Sequence, residues 1–353
     1  MSLFSEFPTI TKEEWLTKIE KDLKGKAVEE LNWNINGDWM VSPLAYSSDW
    51  TEKGTAISLK NKANNSWEIG EVISVKDIKI ANQEALVALE GGVNALLFDL
   101  PEKFTSIDFE LLLKGIQLEW ISTHFRVDSH LPLSAFLNYL ENINANLQKI
   151  RGSWRSDKTK LDEESNLTQF KMLSIDATTH YKDTAHTIEE LVQTLLAINA
   201  KLKEIEVPQS SQLQVSIAIG ESYFINIAKI RALKILWHNL MTAYQLETPL
   251  HLEAHLAQLS LTNDQHQNMI QMSTQALSAV IGGIDRLFLT PADHSNTAFT
   301  KRIARNVQHL LQLESHLDHV IDPSSGSYYI ENLTNEMVKR AWEKFTALAD
   351  SQQ

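Results

Sequence analysis

The sequence predicts an α/β fold, a (β/α)8 barrel preceded by an N-terminal helical arm. From about residue 66 onward, short apolar runs alternate with helix-length amphipathic segments. That alternation is the pattern of βα units and a parallel sheet. Six such runs occur with no dinucleotide-binding fingerprint among them, which favours a closed barrel over an open sheet. The chain has 353 residues, room for one barrel of ~250 residues with extensions.

The arm opens with a helix. Thr11 and Glu14 have capping-box spacing, Trp15, Ile19 and Leu23 fall on one face, and Gly25 is placed to stop the helix. Trp33, Trp39 and Trp50 follow without clear periodicity. Residues 1–50 therefore read as an arm that packs either on a partner subunit or on its own domain, and residues 51–353 as the barrel. Helices are expected at 76–91, 103–115, 131–149, 185–204, 223–245, 264–282, 297–315 and 332–350. Strands are expected in the apolar runs at 95–100, 118–125, 170–177, 213–220, 249–259 and 285–290. Gly91-Gly92 and Gly282-Gly283 punctuate two of the helices. The polar stretch 151–168 reads as a loop or insertion.

Composition limits the function classes. There are 32 Lys plus Arg against 45 Asp plus Glu, a formal charge of −13. That balance argues against nucleic acid or an anionic membrane as a partner. The absence of Cys excludes disulfides, thiolate nucleophiles and Cys-ligated metal clusters, and fits a reducing compartment. The opening residues carry no signal-peptide pattern, and no apolar run reaches the ~18 residues of a membrane span. A cytoplasmic location is expected.

Phosphate-loop, HExxH and EF-hand patterns are absent. The most suggestive segment is His251-Leu252-Glu253-Ala254-His255. On a strand, His251, Glu253 and His255 would share a face and could ligate a divalent metal. No second HxH completes such a site, so a hydrogen-bonded polar barrel interior without metal is the expected role. The stretch 176–187 places Asp176, His180, Tyr181 and His186 just after a strand, at the rim where barrel enzymes carry catalytic groups. His309, His316 and His319 lie near a helix end and read as a solvated face. Lys229 and Arg231 read as structural ion-pair partners.

Several stretches, in order over nearly the whole chain, resemble the methylmalonyl-CoA mutase family. They are FPTITKEEWLTKIEKDLKG, NGDWMVSPLAYSSDW, SWEIGEVISVKDIKIANQEALVALEGGVNALLFDL, YFINIAKIRALKILW, LTNDQHQNMIQMSTQALSAVIGGIDRLFLTPAD and IDPSSGSYYIENLTNEMVKRAW. The N-terminal start is similar to the small, or β, subunit of the heterodimeric bacterial enzyme. The resemblance implies a TIM barrel that binds acyl-CoA through its centre. It also implies a partner, the large (alpha) subunit, that holds adenosylcobalamin and interconverts methylmalonyl-CoA and succinyl-CoA.

The departures from the family pattern point to a non-catalytic chain. Thr178 and Thr179 stand where the family's catalytic Tyr-His pair is expected, and a shift of one or two residues would instead bring His180 and Tyr181 there in reversed order. Ser66 and Glu71 replace the arginines of the substrate loop, which removes counter-charges for a carboxylate. His255-Leu256-Ala257-Gln258 stands near the family's Gln-Thr-Ser-Gly. The cobalamin signature D-x-H-x-x-G is missing; Asp128-Ser129-His130 and Asp264-Gln265-His266 both lack its Gly. The chain is thus expected to bind no cofactor and to contain no C-terminal cobalamin-binding domain. Two alternatives remain: a free-standing TIM-barrel enzyme using the His251, Glu253 and His255 face, and an acyl-CoA-binding mutase chain served by a separate cobalamin-binding polypeptide.

The strand period of two predicts what fills the barrel. Gln214, Ser216 and Ala218 should point inward, as should Met172, Ser174 and Asp176, and His251, Glu253 and His255. These bulky and charged side chains predict a plugged bore, with the last three hydrogen-bonded across it.

Overall fold

The computed structural model describes residues 10–46, 49, 62–127, 131–156, 167–205, 211–293 and 297–350. Trp50 and Asp128-Ser129-His130 lie outside the described residues.

The arm begins with α1 (Lys12–Asp22), and the expected capping box forms: the Thr11 hydroxyl accepts from the Glu14 amide, and the Glu14 carboxylate accepts from the Thr11 amide. Gly25 turns the chain away beyond the helix at φ +90°. A short antiparallel pair follows, β1 (Trp33–Asn34) with β2 (Met40–Val41). Ile35 and Trp39, between these strands, are buried in the main apolar core, and the Arg340 guanidinium lies 5.9 Å from the Trp39 ring centroid. Trp39 is therefore covered by its own chain and not offered to a partner. Trp33 stays 40% exposed, and no residue of α1 is buried.

The barrel is built from βα units in sequence. They are β3 (Glu68–Ser74) with α2 (Ile78–Glu90), β4 (Ala95–Leu100) with α3 (Asp108–Leu112), and β5 (Ser122–Val127) with α4 (Leu133–Asn142). Then come β6 (Arg151–Arg155), β7 (Gln169–Lys171) and β8 (Leu173–Asp176), which leads to α5 (Thr187–Glu204). The last units are β9 (Leu213–Ile219) with α6 (Tyr223–Ala243), β10 (Leu252–Leu256) with α7 (Gln265–Gly282), and β11 (Arg286–Phe288) with α8 (Ala298–His309). A final helix, α9 (Tyr328–Asp350), packs on α5 and α6. Every pairing from β3 to β11 is parallel, in the order β7-β6-β5-β4-β3-β11-β10-β9-β8.

Closure comes from β7 and β8, which are two halves of one run broken at Met172. The first half pairs with β6 and the second with β9. Met172 and Leu173 are neighbours, yet both join the apolar core that faces the helices. The alternation slips by one residue there, as at a bulge. Met172 therefore leaves the bore, contrary to the strict period-two expectation.

Two further strands correct the sequence reading. β6 occupies the start of the expected loop 151–168, and β3 lies ahead of the first expected strand. Both carry charged residues where an apolar run would mark a strand. Gly152 lets β6 pack: its φ is +151°, and a Cβ there would sit 1.8 Å from the Thr123 carbonyl oxygen.

Helix α6 carries two buried cations with structural partners, as expected. Lys229 meets Glu190 at 2.8 Å. Arg231 reaches Asp322 at 3.0 Å, Glu331 at 2.8 Å and the Thr334 hydroxyl at 3.1 Å. It thereby pins the segment before α9 to the barrel. Among the described residues, no helix is long and apolar enough to cross a membrane.

The Gly152 contact yields a prediction. Gly152→Ala should cost about 3 kcal/mol or more, because both the backbone conformation and the Thr123 carbonyl oppose a Cβ. Urea unfolding checks this, and a cost below about 1 kcal/mol would show that β6 can shift.

Candidate functional site

The interior of the barrel follows from alternation along each strand. Leu213, Val215, Ile217 and Ile219 join the helix-facing core, which turns Gln214, Ser216 and Ala218 inward as expected. Leu252, Ala254 and Leu256 do the same on β10 and turn Glu253 and His255 inward.

Glu253 is the hub. Its side chain is 2% exposed. It accepts from Arg155 at 2.5 Å, Arg286 at 3.1 Å and Ser216 at 3.0 Å, and it meets His255 Nε2 at 2.5 Å. Burial alone would raise its pKa, but Arg155, His255 and Arg286 together hold it well below the usual carboxylate range. Glu68 forms a second hub, accepting from Ser122 at 2.8 Å, Arg151 at 3.3 Å and Arg286 at 2.8 Å. Arg286 joins the two hubs. His124 is fully buried beside them, with Nδ1 2.8 Å from the Ser153 hydroxyl and Nε2 unpartnered. Burial, reinforced by Arg286 and Arg155, pushes its pKa far down, so it is neutral.

This lattice crosses the barrel axis and separates two cavities that share no lining residue. The upper one, of about 870 Å³, opens at the C-terminal ends of the strands. His255 lines it and stacks on Phe288 with centroids 5.0 Å apart. The lower one, of about 370 Å³, lies at the N-terminal ends and is lined by Glu68, Arg151, Lys171, His251 and Arg286, among others. His251 therefore does not join Glu253 and His255 in a single hydrogen-bonded set. It sits just before β10 in the lower cavity, where burial and the nearby Lys171 push its pKa down to about 4. As a metal trio, His251, Glu253 and His255 are not brought together: Glu253 is already saturated by Arg155, Arg286 and Ser216.

The rim residues divide in the same way. Thr178, Thr179 and Tyr181 line the upper cavity, whereas His180 does not. The Thr178 amide and hydroxyl both donate to the Asp176 carboxylate, and the Thr179 hydroxyl donates to the Asp176 carbonyl. The two threonines thus close a turn on Asp176 at the edge of the cavity. The Tyr181 hydroxyl donates to Glu221 at 3.3 Å, and burial raises its pKa. Gly220 makes room for that ring, since a Cβ there would lie 2.1 Å from the Tyr181 oxygen. His180 has a buried, unpartnered Nδ1, and burial lowers its pKa.

Three of the four Lys and Arg side chains lining the upper cavity are paired with carboxylates, Lys76 being the fourth. Arg126 meets Asp99 at 2.6 Å, Lys301 meets Glu84 at 2.9 Å and Arg305 meets Glu71 at 2.7 Å. Glu71 lies on the face of β3 turned toward α8; burial raises its pKa against the pull of Arg305, and its second oxygen has no hydrogen-bond partner. Asp264 spends its carboxylate capping α7. Asp264-Gln265-His266 is thus a helix start and does not fit a cobalt-ligand loop.

Arg155, Arg286, Glu68 and His124 were not singled out from the sequence. The signal for the first was present in Arg151-Gly152-Ser153-Trp154-Arg155, where polar residues recur at every second position.

Residues 163–351 match the family model for methylmalonyl-CoA mutase. The methylmalonyl-CoA mutase small subunit of Porphyromonas gingivalis is 32% identical, over 99% of this chain and 64% of its own length. The small subunit of Streptomyces virginiae is 27% identical, over 100% of this chain and 66% of its own. The methylmalonyl-CoA mutase of Cereibacter sphaeroides is 26% identical, over 93% of this chain and 57% of its own. The chain thus spans less than two-thirds of the length of these relatives.

Two predictions test the lattice. Glu253→Gln leaves Arg155 without its buried counter-charge and should cost roughly 3–5 kcal/mol; a cost under 1 kcal/mol in urea unfolding would remove Glu253 from the centre of the structure. His251, held at about 4 in the folded chain against 6.5 ordinarily, binds fewer protons folded than unfolded between those values. Stability should therefore fall as pH drops from 6.5 toward 4, and His251→Gln should flatten that slope by up to one proton. Unfolding measured at pH 7, 6 and 5 reads both slopes.

Proposed function

Because the chain belongs to the methylmalonyl-CoA mutase family, we propose that it acts as the barrel portion of a small, non-catalytic subunit. Its partner in this reading is a large subunit that carries adenosylcobalamin and performs the mutase reaction. The cofactor supplies radical carbon-skeleton rearrangement when bound to that partner. The residues of this chain do not fit the cofactor: D-x-H-x-x-G is absent, and the nearest described string, Asp264-Gln265-His266, starts a helix.

The observation that carries the reading is the charge lattice across the barrel. An acyl-CoA threading the axis would have to displace Arg155, Arg286 and Glu253 from one another, leaving buried charges unpaired. The upper cavity adds to this. Glu71 replaces a cation of the family pattern and occupies Arg305, so a substrate carboxylate meets negative charge instead of a free guanidinium. Thr178 and Thr179 bind Asp176 and offer no general acid. What remains for the chain is to support a partner. Trp33 and Met40, 40% and 51% exposed, belong with Ile10 and Leu31 to the apolar surface that the described residues of the arm present.

Reconstitution tests this. The purified chain with adenosylcobalamin and methylmalonyl-CoA should form no succinyl-CoA, and calorimetry should detect no tight CoA binding. With a large subunit from the native host it should co-purify, and Trp33→Ala with Met40→Ala should weaken that association about tenfold. Turnover or tight CoA binding by the chain alone would overturn the non-catalytic reading. Undiminished association of the double variant would remove the arm from the interface.

A further inference from the structure

After α8 the chain makes one π-helical turn, Leu310–Glu314, and then a tight loop in which His316 takes φ +51°. Wide turns of this kind often mark functional sites. The loop carries His316-Leu317-Asp318-His319. Its backbone is held firmly. The Asn65 amide donates to the Asp318 carbonyl at 2.8 Å, and the Asn65 side chain donates to the Leu317 and Val280 carbonyls at 2.9 Å each. Asn65 just precedes β3, and Val280 lies near the end of α7, so the loop sits at the N-terminal end of the barrel, away from the upper cavity.

On this fixed loop, one ligand atom from each of His316, Asp318 and His319 lies within 4.8 Å of the others. The two imidazoles stack with centroids 4.8 Å apart and planes 19° apart. His319 Nε2 is 3.6 Å from Asp318 Oδ1, too far for a hydrogen bond. That carboxylate oxygen is buried and has no hydrogen-bond partner. A solvated cluster of surface histidines would leave no such oxygen, because an unsatisfied buried acceptor is costly. A cation between the three side chains would satisfy it.

We propose that His316, Asp318 and His319 form a binding site for one divalent d-block cation of the zinc class. Two imidazoles and one carboxylate are a ligand set for such ions, whereas magnesium and calcium prefer all-oxygen shells. The loop faces solvent, with the His319 side chain 63% exposed, so water would complete the coordination. The site would brace the loop between α8 and α9 in its own conformation. It is independent of the small-subunit reading and stands or falls separately.

The untagged full chain, stripped with chelator, is titrated with zinc sulfate at pH 7.5 by calorimetry and followed by thermal unfolding. One equivalent should bind with micromolar or tighter affinity and raise Tm, and magnesium chloride should do neither. Cobalt(II) should give visible d–d absorption that zinc abolishes. His319→Ala and Asp318→Asn should each weaken zinc binding at least tenfold, while His266→Ala, on the exposed start of α7, should leave it unchanged. Circular dichroism checks that the variants fold. Absence of binding to the native chain, binding that survives His316→Ala with His319→Ala, or an equal response to magnesium would overturn the site.

Discussion

A buried carboxylate must be neutralised, and the barrel is arranged around the neutralisation of Glu253. Its two oxygens receive Arg155 from β6, Arg286 from β11, Ser216 from β9 and His255 from its own strand. One side chain thereby ties together strands distant in sequence and fixes their register. Each charge is affordable only while the others are present. Arg286 extends the constraint to Glu68, and through it to Arg151 and Ser122. The filled bore follows from this constraint.

The functional consequence follows from that filling. A barrel that carries a long ligand along its axis keeps small or neutral side chains there. This one spends its axial volume on ion pairs and keeps two unconnected cavities at its ends. The upper cavity has the position of a catalytic rim, and Arg126, Lys301 and Arg305 at its edge each hold a carboxylate.

The outer layers show a related economy of contacts. Arg231 on α6 gathers Asp322, Glu331 and Thr334, so α6 and the segment that opens α9 are joined by one guanidinium. Trp39 is folded back under Arg340, which makes the middle of the arm part of the domain and leaves the helix α1 and Trp33 on the outside.

The sequence by itself determined the barrel class, the helices of the βα units and the inward face of β9 and β10. Hydrophobic periodicity is a local property, and Leu213, Val215, Ile217 and Ile219 show it without help from the rest of the chain. The Thr11 capping box and the Lys229 and Arg231 ion-pair roles were legible for the same reason. Tertiary structure decided the rest. β3 and β6 carry Glu68, Arg151 and Arg155 at inward positions, so neither shows the apolar run that marked the other strands, and the polar stretch from 151 read as a loop; inside the barrel those charges meet partners on other strands. Met172 left the bore because the chain slips one residue where β7 passes to β8, a step imposed by closing the sheet. The separation of His251 from Glu253 and His255 was likewise beyond the sequence. Spacing places residues on a face, but only the charges arriving from β6 and β11 determine where along the axis the interior is sealed.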